Sequence, residues 1–334
     1  MTTAQAPATR QLPYVAAITD GLRCVLREDP TVFIAGEDVA GYGGVFGTTR
    51  GLMAEFGAER VIDTPISEAG IVGLGVGASA TGCRPIIDIM FMDFMGECGD
   101  EILNQMAKMR YMFGGKATLP MTITTMAGAG LSLAAQHSQS LEAWFCHVPG
   151  LKVVMPSSPY DAKGLLIAAV RDDNPVIVIF NKASLGVMGE VPEEAYAIEL
   201  GKANVVRAGT NFTIVATGRM VRESVAAAET LAAGGIDVEV IDPRTLQPFD
   251  TETVIASVKK THRAMVVHEA VRFGGIGAEY AAQIQELAFD YLDAPVGRVG
   301  APFAPVPFSP VLEKLYVPNA EQIVAEVKRL TGKA

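Results

Sequence analysis

Leu151-Lys-Val-Val-Met155, then Pro156-Ser-Ser-Pro159, then Val176-Ile-Val-Ile-Phe180 decide the fold class. The first and last are short apolar runs rich in β-branched residues, as in strands covered on both faces. Ser158-Pro159 is a helix start, with serine as cap and proline at the first helical position. Together they form a strand–helix–strand unit, the connection that joins parallel strands. The same rhythm runs outward in both directions. Thr31–Ala35 reads as a strand leading into the glycine-rich Gly41–Gly51. Asp100–Phe113 reads as a helix, with Ile102, Met106, Met109 and Phe113 on one face and Gly114-Gly115 as its stop. Glu190-Val-Pro-Glu-Glu194 breaks the apolar pattern and reads as a linker. Beyond it come a strand at Phe212–Ala216, a helix at Met220–Ala233, strands at Ile236–Ile241 and Ala264–Val267, and a helix from about Gly277 to Leu292. The chain is therefore α/β, in two domains spanning residues 1–200 and 201–334.

Composition removes several classes of function. Among 334 residues, 27 Lys and Arg face 37 Asp and Glu, a net charge of −10 that repels nucleic acid and anionic membranes alike. Apolar residues at 49% and charged ones at 19% exclude disorder. Cys24, Cys83, Cys98 and Cys146 form no C-x-x-C pair and no metal-like spacing with the four histidines, so they read as reduced thiols of a cytoplasmic protein. That also argues against an iron–sulfur electron carrier. The first fifteen residues hold no apolar run of signal-peptide length, and the uncharged Ala69–Cys83 is too short and glycine-rich to span a bilayer.

The chemistry concentrates in Asp63-Thr-Pro-Ile-Ser-Glu-Ala-Gly70 and the small-residue run after it. Thr64 as cap and Pro65 at the first position would start a helix with Glu68 in its first or second turn. Gly70, Gly73, Gly75 and Gly77 each cost about 1 kcal/mol in a helix. They call for a compensating close approach, expected against another helix. Glu68 is then either a carboxylate placed at a helix N-terminus or a carboxyl held in a tight apolar contact, fit for proton exchange with a ligand nitrogen. Phe94 is either core or a platform for a flat ring. His137, in the small-residue loop Ala127–Gln139, is either structural or a ligand contact. Phe273-Gly-Gly-Ile-Gly-Ala278 is similar to a phosphate loop but does not complete G-x-G-x-x-G.

In order and spacing, the chain resembles the β subunit of the thiamine-diphosphate-dependent E1 component of 2-oxo acid and acetoin dehydrogenase complexes. The resemblance is carried by Gly36-Glu-Asp38, Gly43-Gly-Val45, Asp63–Gly70, Arg84-Pro85, Phe94, Ala134–Gln139, Pro149–Val153, Asp161-Ala-Lys-Gly164, Asn174-Pro175, Phe273–Glu279 and Pro305-Val-Pro307. Met90–Gly96 and Met109–Lys116 look most like the acetoin-cleaving members, with pyruvate and branched-chain enzymes as the alternatives. A non-catalytic docking subunit is the alternative from another class.

The resemblance implies a pyrimidine-binding domain followed by a transketolase C-terminal-like domain. It implies an enzyme that cleaves acetoin and passes the two-carbon unit to the lipoyl group of E2. Glu68 matches the glutamate at N1′ of the cofactor's aminopyrimidine, Met90 and Phe94 match positions beside that ring, and His137 matches the active-site histidine. A structural potassium ion is implied at Met121, Ala169, Asp172 and Asn174. Enzymes of this type hold Mg²⁺ and the diphosphate with a Gly-Asp-Gly motif, which this sequence lacks. The implied partner is therefore an E1 α subunit that supplies the motif in an α2β2 assembly.

Overall fold

The computed structural model describes residues 8–333. Fourteen strands are described: β1 (Thr9–Pro13), β2 (Val32–Gly36), β3 (Val61–Asp63), β4 (Arg84–Ile89), β5 (Thr122–Ala127), β6 (Lys152–Val154), β7 (Val176–Asn181), β8 (Met188–Pro192), β9 (Asn204–Arg207), β10 (Phe212–Ala216), β11 (Val238–Asp242), β12 (Thr245–Gln247), β13 (Ala264–Val271) and β14 (Gly297–Ala301). The first sheet runs β12-β6-β7-β5-β4-β2-β3, parallel apart from β12. Helices Tyr14–Glu28 and Pro159–Arg171 cover one face, and Glu68–Ala80 with the segment through Met106 covers the other. Ser158 caps its helix as the sequence predicts, its hydroxyl accepting from Asp161 N. Every residue of β5 and β7 is buried, so the apolar runs sit between two helical layers.

The second sheet runs β14-β13-β10-β11-β9. Helices Met220–Ala233 and Ala320–Thr331 pack on one side, and Thr251–Thr261 and Ile276–Ala288 on the other. β12 leaves this half of the chain and pairs antiparallel with β6, so the first sheet is completed by a strand from beyond residue 200. Among the described residues no helix is long and apolar enough to cross a membrane.

Two expected elements are corrected. Glu190–Pro192 is not linker but the end of β8, which pairs antiparallel with β1 from Thr9↔Pro192 to Pro13↔Met188. This ribbon fully buries only Val191, so its apolar signal is one residue wide. Asp100–Phe113 is not one α-helix. Glu101–Met106 is a wide turn in which Ala107 N donates to Ile102 O at 3.1 Å, and a short helix, Met109–Met112, follows. The break lies where the backbone presses on the next loop: Lys108 Nζ donates to Pro149 O at 2.5 Å. A Cβ on Gly150 would stand 2.0 Å from Ala107 O. Ile102 and Met106 are buried as expected, but Phe113 is 56% exposed.

Candidate active site

Parallel strands bring their carboxyl ends to one edge of the sheet, the usual place for a site in an α/β protein. Glu37 and Asp38 follow β2, Thr64 follows β3, and Met90 follows β4. The ends are tied together. Thr64 N donates to Gly36 O at 3.0 Å. The Asp63 carboxylate accepts from Ala40 N at 2.6 Å and Gly41 N at 3.1 Å, fixing the turn after Glu37.

The helix carrying Glu68 starts later than Thr64-Pro65 suggested. Its first residue is Glu68 itself, and Ile71 N makes the first intrahelical bond to Ser67 O at 2.9 Å. Residues 64–67 serve instead as a loop that brings Thr64 and Ile66 to the cavity. Gly70 leaves room for the Ser67 hydroxyl, since a Cβ there would lie 2.9 Å from Oγ. Gly75 is required by this chain's own sheet: a Cβ would meet Ile87 Cγ1 and Met121 Cε at 2.6 Å. The expected helix partner does not apply to that glycine. Gly77 faces open space, and Leu74 beside it is 47% exposed.

Glu68, Met90 and Phe94 line one cavity of about 620 Å³ together with Glu37, Asp38, Val45, Thr64, Ile66 and Glu97. Four of these nine residues are carboxylates and none is basic. Glu68 is half-buried in the single chain. Burial, and then the facing Glu68, push the Glu37 carboxyl above its ordinary value. Glu37 Oε1 and Thr64 Oγ1 are buried without a partner. His137 stands at the side of this group, its ring edge-on to Phe94 at 5.3 Å and to Phe91 at 4.8 Å. Sequence reading placed Gly36-Glu-Asp38 in the resemblance and Thr64 as a helix cap but assigned none of Glu37, Asp38, Thr64 and Glu97 to the site. The signal for the first two is the acidic pair directly after Gly36, at the carboxyl end of a buried strand.

Met121, Ala169, Asp172 and Asn174 lie at the opposite ends of the strands. Met121 O accepts from Val176 N at 3.0 Å, and Ala169 O from Asp172 N at 3.3 Å. Asp172 O accepts from Arg84 Nη1 at 3.1 Å. The Asp172 carboxylate takes Asn174 N and Nδ2 at 2.8 and 2.9 Å, and pairs with Lys152. Among the described residues no group of three or more His, Cys, Asp or Glu could hold a metal ion. The Gly274–Gly277 loop serves packing: Cβ atoms on Gly275, Gly277 and Gly300 would stand 2.7, 2.4 and 2.9 Å from the ring of buried His268.

One of the fully buried acids lies at the domain junction. Glu142 is fully buried with neither carboxylate oxygen partnered, and burial pushes it up to about 7. Its folded value exceeds its ordinary 4.5. The native chain therefore holds the extra proton between about pH 4.5 and 7, and stability falls as pH rises through that window. At pH 8 the full cost, about 3 kcal/mol, is present. Glu142→Gln should therefore raise the melting temperature of the assembled enzyme at pH 8, with the gain shrinking towards pH 5. An equal gain at both pH values would contradict this account.

The family model for the transketolase pyrimidine-binding domain matches residues 10–187, and that for the transketolase C-terminal domain matches residues 201–323. The chain is 48% identical over 328 residues to the acetoin:2,6-dichlorophenolindophenol oxidoreductase subunit beta of Bacillus subtilis, covering 95% of this chain and 96% of that one. It is 49% identical over 330 residues to the Cupriavidus necator protein of the same name, covering 96% and 97%. Identity to the pyruvate dehydrogenase E1 component subunit beta of Bacillus subtilis is 47% over 321 residues, covering 96% and 98%. A solved structure described as a split gene transketolase, inactive beta4 tetramer, superposes with a TM-score of 0.78 at 24% identity, over 96% of this chain and 98% of that one. That last likeness speaks to the fold.

Proposed function

Because the chain belongs to the transketolase-like family of E1 β subunits, we propose that it is the β subunit of an E1 that cleaves acetoin. It acts with an E1 α subunit, within a multienzyme complex, and depends on thiamine diphosphate. The observation that carries the reading is the cavity in which Glu68, Met90 and Phe94 meet, with His137 against Phe94. A subunit that only docks its partners has no use for that convergence.

The donor set suits one end of the cofactor. A carboxyl, a thioether and an aromatic face can hold a flat nitrogen ring, and the unpartnered Glu37 and Thr64 oxygens offer further polar contacts. Four acidic residues and no cation repel a diphosphate. We therefore assign the aminopyrimidine to this chain, and the diphosphate with its Mg²⁺ to the α subunit in an α2β2 assembly. When bound, the cofactor supplies a nucleophilic carbon that adds to a carbonyl and stores its electron pair. Glu68 exchanges a proton with N1′ of the pyrimidine. Phe94 and Met90 fix the plane of the ring. His137 handles a proton at the reacting oxygen and faces the lipoyl group of an incoming E2. Gly77, bare on the outer face of the Glu68 helix, and the exposed Leu74 suit contact with the α subunit, which would finish burying the carboxyl. A potassium ion, when present, belongs to the Met121–Asn174 corner and takes no part in the reaction. We place the domain boundary at residue 200.

The test is co-expression with the α subunit and assay of acetoin, pyruvate and branched 2-oxo acids with 2,6-dichlorophenolindophenol as acceptor. Acetoin should give the highest kcat/KM. A preference for pyruvate would move the chain to the neighbouring branch, and no turnover of any of the three would end the reading.

A further inference from the structure

The loop that carries His137 is held from the other domain. It leaves β5 at Gly128 and closes on itself where Gly128 N donates to Gln139 O at 3.2 Å. Between those points Ser132 and Ala134 adopt φ of +55° and +62°, left-handed values that cost energy in residues with a Cβ. Such a path persists only when its surroundings fix it. On the first domain, Lys182 Nζ donates to His137 O, and Asp93 accepts from Gln139 N and Nε2 at 3.1 and 2.9 Å. The remaining anchors lie beyond residue 200. Glu313, 4% exposed, takes Gly130 N at 2.7 Å on one oxygen and Ser132 N at 3.0 Å on the other. Glu269 on β13 takes Ala129 N at 2.6 Å and Asn181 Nδ2 at 2.7 Å. Arg219 donates to Ala129 O at 3.3 Å.

Two glycines show how closely these groups meet the backbone. A Cβ on Gly128 would lie 2.6 Å from Asn181 Nδ2 and 2.8 Å from Glu269 Oε1. One on Gly130 would lie 3.1 Å from Arg219 Nη1. Behind the loop is a cavity of about 590 Å³, bordered by Gln136, Ser138, Glu269, Phe303 and Tyr316. The loop therefore has room to relax once an anchor is lost, and packing alone does not hold the histidine in place.

We propose that Glu313 and Glu269 are positioning residues for His137, so that the C-terminal domain sets how the histidine addresses the cofactor cavity. The proposal rests on the reading of His137 as a reaction residue. It predicts a division of labour. The two glutamates govern the His137-dependent step, and proton exchange at the cofactor, which depends on Glu68, is left alone.

The test uses the assembled α–β enzyme carrying Glu313→Ala, with Glu313→Gln as the variant that keeps side-chain volume. Turnover of acetoin should fall at least tenfold in kcat, with KM changed less than about twofold. Amide hydrogen exchange in residues 128–139 should speed up at least tenfold, with the rest of the chain unchanged. Exchange of the cofactor's C2 proton should stay within twofold. Adding Glu313→Ala to His137→Ala should cost no further activity. Full turnover in both Glu313 variants beside a slow His137→Ala enzyme overturns the clamp alone, as do losses that multiply in the double variant. Full turnover in His137→Ala overturns the role of the histidine, and this proposal with it.

Discussion

Glu68→Gln or Glu68→Ala in the assembled enzyme should slow exchange of the cofactor's C2 proton for deuterium by roughly 10²–10⁴-fold, the range set by removal of a positioned acid or base. The substitution acts at one atom of the ring. A carboxyl can hold a proton at N1′ and give it up again. A glutamine amide donates a hydrogen bond but cannot take part in the transfer, and alanine does neither. Glu68 is half-buried at the first position of its helix, so the helix and the assembly should survive both changes. Exchange at the wild-type rate in a correctly assembled Glu68→Ala enzyme would remove this residue from the mechanism, whatever happened to steady-state turnover.

The second large effect concerns the chain in isolation. Calorimetry on the purified β chain, with Mg²⁺ present, should detect no binding of thiamine diphosphate at concentrations that saturate the assembled enzyme. At least 100-fold separates the two affinities, or about 2.7 kcal/mol. The expectation follows from sign of charge. The chain carries −10 overall, and Glu37, Asp38, Glu68 and Glu97 surround the cavity with no cation among its lining residues. In the split site proposed above, the partner contributes the cations and backbone donors that a diphosphate requires. Tight binding by the lone chain would contradict the split site.

Much of the fold was legible because burial on both faces writes continuous apolar runs. Phe212–Ala216 and Met220–Ala233 match their observed elements residue for residue, and Val176–Phe180 misses only Asn181. Reading failed where structure is held by tertiary contact. The ribbon of β1 and β8 fully buries one side chain in its second strand. The break after Met106 lies where Ala107 O closely approaches Gly150, more than forty positions away. At the site, the resemblance supplied Glu68, Met90 and Phe94, and the cavity gathers all three. Gly36-Glu-Asp38 was read as part of the resemblance, but Glu37 was given no role at the site, because only the parallel sheet brings that turn opposite Glu68. Glu313 and Glu269 could not be found from spacing, since 181 and 132 residues separate them from Ser132 and His137.

The exchange of β12 into the first sheet bears on how such a gene can be divided. A break at residue 200 would look natural from the domain pattern. It would strand β6 with an unsatisfied margin of amides and carbonyls, inviting intermolecular stacking.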